Sequence, residues 1–296
     1  MTRTLHGLTA IVILALAATT AAHAEVCATD DKGRQVCLDE PAERIISLSP
    51  GATELLFAAG AGDDVAGVVN YSDYPEAAKE LPIIGSLKRL DVEKILSLSP
   101  DLVIAWVTGN PKSQTEQLEE LGLTLYYLEP RDFEGIARSI ERLSVLADTQ
   151  KAGRREAERF RDGIADLRAE YGDAEPVRVF YQVWDQPLMT VNGKHFIHEV
   201  IELCGGENVY AGLDRLVPRI DRESVLNKNP EAIVAGGMGE ENRDWLKEWK
   251  QYDSLTATER DNLFFVPPST LQRPTPRLLK GGQTLCERLE TARERR

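Results

Sequence analysis

"TQKAGRREAERFRDGIADLRAEYG", residues 149–172, runs without a proline and reads as one helix, about 36 Å long at 1.5 Å per residue. Its apolar positions are sparse, and neither end carries a Gly/Ser/Pro tract, so it reads as a rigid spacer and not a flexible linker. What it separates decides the fold. Before it, strand-like runs "RIISLSP" (44–50), "VAGVV" (65–69), "DLVIAW" (101–106) and "LTLYYL" (123–128) alternate with helical runs "GATELLFAAGAG" (51–62), "DVEKILSLS" (91–99) and "KSQTEQLEELG" (112–122), and a further helix covers 132–147. After it, "VRVFYQVW" (177–184), "KHFIHEVIELCGG" (194–206), "DRESVLNKN" (221–229), "EAIVAGG" (231–237) and "LFFV" (263–266) restart the same cadence. Strand–helix alternation of this kind gives a mostly parallel sheet. The expectation is an α/β fold of two similar lobes joined by one long rigid helix: an N-terminal lobe over 25–147, a bridging helix over 148–172 and a C-terminal lobe over 173–296. "AAGAGDDVAG" (58–67) and "LCGGENVYAG" (203–212) take corresponding places. A single helical spine predicts a limited closing motion.

The 296-residue length suits two domains. "MTRTLHGLTAIVILALAATTAAHA" has one cation, Arg3, an apolar stretch from Leu8 to Ala18 and the small-residue ending Ala22-His23-Ala24, the pattern of a signal peptide (1–24) cleaved after Ala24. The apolar stretch is short of the roughly 20 residues that span a bilayer, and Cys27 follows "AEV", without the small residue that precedes a lipidated cysteine. An exported, unanchored protein is expected in a periplasm. Without Arg3 the mature chain has 34 basic and 48 acidic residues, net −14. That argues against nucleic acid, whose phosphates need a basic face, and fits a soluble monomer that a basic partner steers.

Four cysteines in an oxidising compartment call for pairing. "VCATDDKGRQVCL" reads as a hairpin around Lys32-Gly33 that sets Cys27 opposite Cys37, which leaves Cys204 with Cys286; buried thiols or a metal site are the alternatives. Only His195 and His198 survive cleavage, too few for a histidine-built zinc site across two lobes, and their spacing reads as a surface pair. There is no G-x-S-x-G and no P-loop, and "GAGDDVAG" has Val65 where a dinucleotide fingerprint needs glycine or alanine. No catalytic constellation and no metal site are expected.

Ligands of parallel α/β sheets sit beyond the carboxyl ends of the strands. Here those exits carry Tyr71 in "NYSDYP", Trp106, Trp184 and, in "PPSTLQRPTP", Arg273, with the backbone of Pro50, Gly51 and Ala52 in "SPGAT". Convergent aromatics with a few polar groups suit a large, rigid, amphipathic ligand.

"RIISLSPGATELLFAAG", "NYSDYP", "DLVIAW" and "LCGGENVY" resemble the periplasmic binding proteins for iron chelates and corrinoids of bacterial ABC importers, with the cobalamin (vitamin B12) binders nearest, from about Arg44 to Cys286. The resemblance implies a non-enzymatic protein that holds a corrinoid between its lobes, with Tyr71 and Trp106 on one side and Arg273 on the other, Trp184 in a matching loop, and a Cys204–Cys286 bridge. It also supplies departures. Leu87 and Val217 stand where the B12 binders place tryptophans, and Ser269 where they place an acid near Arg273. Haem, with Tyr71 as axial ligand, or a ferric siderophore is therefore the alternative cargo. A periplasmic enzyme on the same scaffold is the alternative of another class.

"DVEKILSLSP" (91–100) returns as "DRESVLNKNP" (221–230), with Asp, Glu two residues on and Pro seven after the Glu. Asp91 and Asp221 are N-cap residues, and Glu93 and Glu223 fall in the first turn, where a carboxylate favours the positive dipole end. The resemblance implies more, that Glu93 and Glu223 dock one on each transmembrane subunit of the importer.

Overall fold

The computed structural model describes residues 25–236 and 239–296; the expected signal peptide lies outside the described residues. The first described elements are β1 (Val26–Thr29) and β2 (Gln35–Leu38), antiparallel with Cys27 opposite Cys37 and the two joined as a disulfide. Asp30 builds the turn by accepting from Lys32 N and Arg34 N at 2.9 Å, and Gly33 takes φ +78°, which a residue without Cβ adopts at no steric cost.

The first lobe follows in chain order. β3 (Ile45–Ser47) leads into α1 (Pro50–Ala58) and β4 (Val65–Val68); a small ribbon of β5 (Gly85–Ser86) and β6 (Arg89–Leu90) precedes α2 (Val92–Ser97); then come β7 (Leu102–Trp106), α3 (Lys112–Glu120), β8 (Leu125–Leu128) and α4 (Phe133–Leu146). The four long strands form one sheet in the order β4-β3-β7-β8, every pair parallel. β7 and β8 bury nearly every residue, as strands covered on both faces must.

The long helix is α5 (Gln150–Tyr171). Its few buried residues, Gly153, Ala157, Phe160, Ile164 and Tyr171, recur every three, four or seven positions and so form one stripe. That stripe lies along α4. A Cβ on Gly153 would come within 2.3 Å of Ser144, and the Phe160 ring meets Phe133 edge-on at 6.4 Å. The sparse apolar positions are thus concentrated on one face.

The second lobe repeats the plan with β9 (Val177–Gln182), α6 (Phe196–Leu203), β10 (Gly206–Asn208), α7 (Arg222–Lys228), β11 (Ala232–Ala235), α8 (Asp244–Trp249), α9 (Thr256–Glu259), β12 (Leu263–Phe265), α10 (Pro268–Leu271) and α11 (Leu278–Glu294). Its sheet order is β10-β9-β11-β12, again all parallel. In both sheets the second strand of the lobe lies outside the first, and the third and fourth follow on the other side. The likeness extends to helix ends: α2 and α7 are followed by Ser99 at φ +47° and Asn229 at φ +43°, each just before a proline.

One buried apolar cluster runs from α1 through α4 and α5 to β9, α6 and α11, so the core continues across the junction of the lobes. Cys204, at the end of α6, is bonded to Cys286 in α11, closing a loop of 82 residues. No helix among the described residues is long and apolar enough to cross a membrane. Replacing Cys204 and Cys286 together with Ala is expected to lower the free energy of unfolding in urea by roughly 4 kcal/mol, the chain entropy of so long a loop. A loss below about 1 kcal/mol would show that the bridge does not restrain the unfolded chain.

Candidate functional site

The residues that follow the strands of both sheets line one cavity of about 450 Å³, a volume typical of small-molecule and cofactor sites. From the first lobe come Pro50, Gly51 and Ala52 after β3, Tyr71 after β4, Trp106 at the end of β7 and Leu128 to Arg131 after β8. From the second come Val183 after β9, Lys194 to Ile197 at the start of α6, Leu216 and Val217, and Gln272 to Pro274 after β12.

Local chemistry fixes how these groups are shown. Ser49 caps α1: its Oγ accepts from Ala52 N at 3.1 Å. Pro50 has no N–H, so of the three expected amides only that of Gly51 points onward without an intrahelical acceptor. Trp106 closes a tight turn in which its N–H donates to Asn110 Oδ1 at 2.7 Å, while Asn110 Nδ2 donates to Leu48 O at 2.9 Å. The indole lies against Gly109, where a Cβ would meet the ring at 1.9 Å, and stays 37% exposed. Tyr71 is 79% exposed and sits at φ +68°, in the left-handed region that non-glycine residues rarely adopt.

Arg273 lines the cavity, but its donors are largely taken. Nη1 reaches Glu54 Oε1 at 2.8 Å and Asp73 Oδ1 at 2.9 Å, and Nη2 donates to Tyr71 O at 3.2 Å. Burial works against its charge, and the hydrogen bonds it donates to Glu54 and Asp73 outweigh that, so the guanidinium holds its proton more firmly than usual. Trp184 is brought to a different place. Val183 faces the cavity and its neighbour turns to the other side of the chain, as successive side chains of extended backbone do. The Trp184 indole is 43% exposed, packs edge-on against Trp245 at 5.9 Å and donates Nε1–H to Gln186 O at 3.1 Å.

His195 is not a surface residue, as its spacing to His198 suggested, but part of the cavity lining. Its Nδ1 accepts from Ile197 N at 3.2 Å as the cap of α6. Burial, aided by the positive charge of Arg131, pushes its pKa down to about 4. The ring is therefore neutral near pH 7, with its proton on Nε2. Glu129 is engaged by Thr108 N and Oγ1 at 3.0 and 3.1 Å, whereas Arg131 and Lys194 make no ion pair among the described residues. The wall between these groups is apolar: Leu55, Leu87, Leu128, Val217, Phe196 and Ile197. Leu87 and Val217, where tryptophans were anticipated, thus occupy the lining with smaller side chains. Ser269 instead donates Oγ–H to Glu240 Oε2 at 2.7 Å, which brings an acid beside it.

Glu129, Pro130 and Arg131 were not among the expected site residues, although "LTLYYL" empties directly into them. Nor were Lys194 and His195, which enter from a helix N-terminus. No thiolate is offered by the group formed by Glu25, Cys27 and Cys37, because the two sulfurs are bonded to each other.

Away from the cavity, Glu93 and Glu223 are both exposed, each the second residue of its helix. Asp91 Oδ1 caps α2 through Lys94 N at 3.0 Å, and Asp221 Oδ1 caps α7 through Ser224 N at 2.7 Å. α2 leads into β7 and α7 into β11, the equivalent strand of the other sheet.

Residues 45–270 match the family model described as "Periplasmic binding protein". A vitamin B12-binding protein of Vibrio parahaemolyticus is 37% identical over 258 residues, 87% of this chain and 93% of that protein. The crystal structure of the periplasmic vitamin B12-binding protein BtuF of Vibrio cholerae is 37% identical and superposes with a TM-score of 0.78 over 86% of this chain and 99% of that one. The periplasmic haem-binding protein RhuT from Roseiflexus sp. RS-1 is 25% identical, with a TM-score of 0.74 over 85% and 99% of the two chains. The matching sheets, the cavity at their facing ends and this identity over most of the chain lead to one conclusion: the chain belongs to the periplasmic binding protein family.

Proposed function

We propose that this protein captures a corrinoid, cobalamin foremost, between its lobes and delivers it from the periplasm to the transmembrane subunits of an ABC importer. The observation that carries the reading is the cavity at the facing strand ends of both lobes, with the exposed rings of Tyr71 and Trp106 from the first lobe, Lys194, His195 and Arg273 from the second, and an apolar wall shared by the two. A corrin is large, flat and apolar on its faces, with amides around its edge. Trp106 and Tyr71 supply surfaces for a face, while Gly51 N–H and the Nε2–H of His195 supply donors for amide carbonyls. The corrinoid is cargo, so no resident cofactor is needed, and the names of the relatives are those of binding proteins and not of enzymes. In this reading the lobes are 25–147 and 173–296, residues 148–172 form the bridge, residues 1–24 direct export, and the protein works as a monomer.

Calorimetric titration with cyanocobalamin tests the cargo, and saturable one-to-one binding is expected. No heat, alongside binding of haem or a ferric siderophore, would move the assignment to another ligand of the same class of protein. Haem is the second reading, favoured by the exposed Tyr71 side chain at the cavity. A haem absorbance band unchanged by Tyr71→Phe would remove that residue as an axial ligand. Trp106→Ala is expected to weaken corrinoid binding by about 1 to 3 kcal/mol in a protein that still folds; unchanged affinity would leave the ring with no part in capture.

Docking rests on Glu93 and Glu223. Replacing both with Arg is expected to leave corrinoid affinity intact, because they stand at helix starts away from the strand exits, and to abolish uptake by reconstituted importer in proteoliposomes. Wild-type docking should also weaken steeply with salt, since exposed charges are screened over about 8 to 10 Å. Normal uptake by the double variant would reduce both residues to helix-end charges.

A further inference from the structure

Glu54 lies in α1 of the first lobe, is 3% exposed and does not line the cavity. Each hydrogen bond to its carboxylate comes from the second lobe: Arg273 Nη1 at 2.8 Å and Arg277 Nη1 at 3.3 Å to Oε1, and Thr275 Oγ1 at 2.7 Å to Oε2. The same two arginines reach back to a second part of the first lobe, the loop after β4. Arg273 Nη1 pairs with Asp73 at 2.9 Å and Nη2 donates to Tyr71 O at 3.2 Å, while the Arg277 guanidinium lies 4.4 Å from the centre of the Tyr74 ring. Between these contacts Ser72 is tied to α1 by Thr53, Oγ1 to Oγ at 3.1 Å.

A buried carboxylate must be matched by donors, and those donors then lose their freedom to turn elsewhere. Tyr71 needs such a restraint. Its φ of +68° is disfavoured for a residue with a Cβ, and its ring is almost wholly exposed, so no packing holds it in place. Among the described residues, the hydrogen bond that Tyr71 makes is through its carbonyl oxygen, held by Arg273.

We propose that Glu54 is a positioning residue for ligand capture. By anchoring Arg273 and Arg277 it fixes the 71–74 loop and presents the Tyr71 ring to the cleft without touching the ligand itself. This rests on the reading that the cleft takes a corrinoid.

The test is a double-mutant cycle on the full mature chain, with Glu54→Gln, Tyr71→Ala and both together, read by cyanocobalamin titration and by amide hydrogen exchange of residues 71–74 without ligand. Glu54→Gln should speed exchange in that loop about tenfold and raise the Kd about tenfold. In the Tyr71→Ala background its effect on the Kd should be several-fold smaller than in the wild-type background. Multiplying effects, or a folded Glu54→Gln with wild-type exchange and affinity, would overturn the proposal. Should Glu54→Gln not fold, Asp73→Asn at the exposed end of the same arginine is expected to speed exchange in the loop and raise the Kd by about threefold, and no change in either overturns it. Wild-type protein that takes up no cyanocobalamin would overturn the corrinoid reading, whereas unaltered loop exchange in the variants would overturn the clamp, so the two failures are told apart.

Discussion

The carboxylate of Glu54, 3% exposed and hydrogen-bonded among the described residues only to the opposite lobe, is the interaction on which the cleft depends. Removing one partner from such an arrangement leaves charge buried without compensation, which costs far more than loss of a surface pair. The residues it gathers, Arg273, Thr275 and Arg277, follow directly on β12 and α10. Drawing them across the gap also brings Gln272 and Pro274 to the cavity wall. A second tie acts elsewhere: Glu199 in α6 accepts from Phe133 N at 3.0 Å, so a side chain of one lobe satisfies the first amide of a helix in the other. Burial raises the pKa of that carboxyl, and the amide of Phe133 partly offsets the rise. With α5 packed along α4 and a continuous core beneath, the lobes are fixed by packing behind the cleft and by hydrogen bonds at its edges.

The repeated plan explains how one fold serves two surfaces. Both sheets carry the same strand order, so their carboxyl ends present equivalent loops, and these have diverged in chemistry. The first lobe contributes the exposed rings of Tyr71 and Trp106, a free amide at a helix start, Glu129 and Arg131; the second contributes a neutral imidazole, Lys194 and Arg273, and both share in the aliphatic wall. The helices that open with Asp-x-Glu have not diverged. Their caps, first-turn glutamates and left-handed ends before proline remain alike, as a partner with two similar halves would require.

Much of this was legible in the sequence. Alternation of apolar runs with capped helical runs marks a parallel α/β fold because buried strands have no polar face to show, and "VAGVV", "DLVIAW" and "EAIVAGG" have none. The hairpin turn was legible from Lys32-Gly33 between two cysteines. Legibility failed where tertiary contacts override local pattern. "LCGGENVY" is a helix end as it reads, but the edge strand that Gly206 starts against β9, after Gly205 turns the chain at φ +65°, has no local signal. Residues 278–294 carry a weak apolar stripe and become a helix by packing on α5, α6 and α10. At the site, Tyr71, Trp106 and Arg273 were visible as strand exits, but the partners of Arg273 lie some 200 residues away and no local rule finds them. His195 escaped because a capping histidine and a surface histidine have the same one-letter signature, and only burial by the facing lobe tells them apart.

Capture as proposed requires one corrinoid to lie between the lobes and touch both. A crystal structure of the mature protein grown with cyanocobalamin tests it most directly. A single corrin is expected in the cleft, in contact with Trp106 and Tyr71 on one side and with the α6 start and the Arg273 segment on the other. A corrin bound to one lobe only, or on the outer surface with the cleft empty, would contradict it.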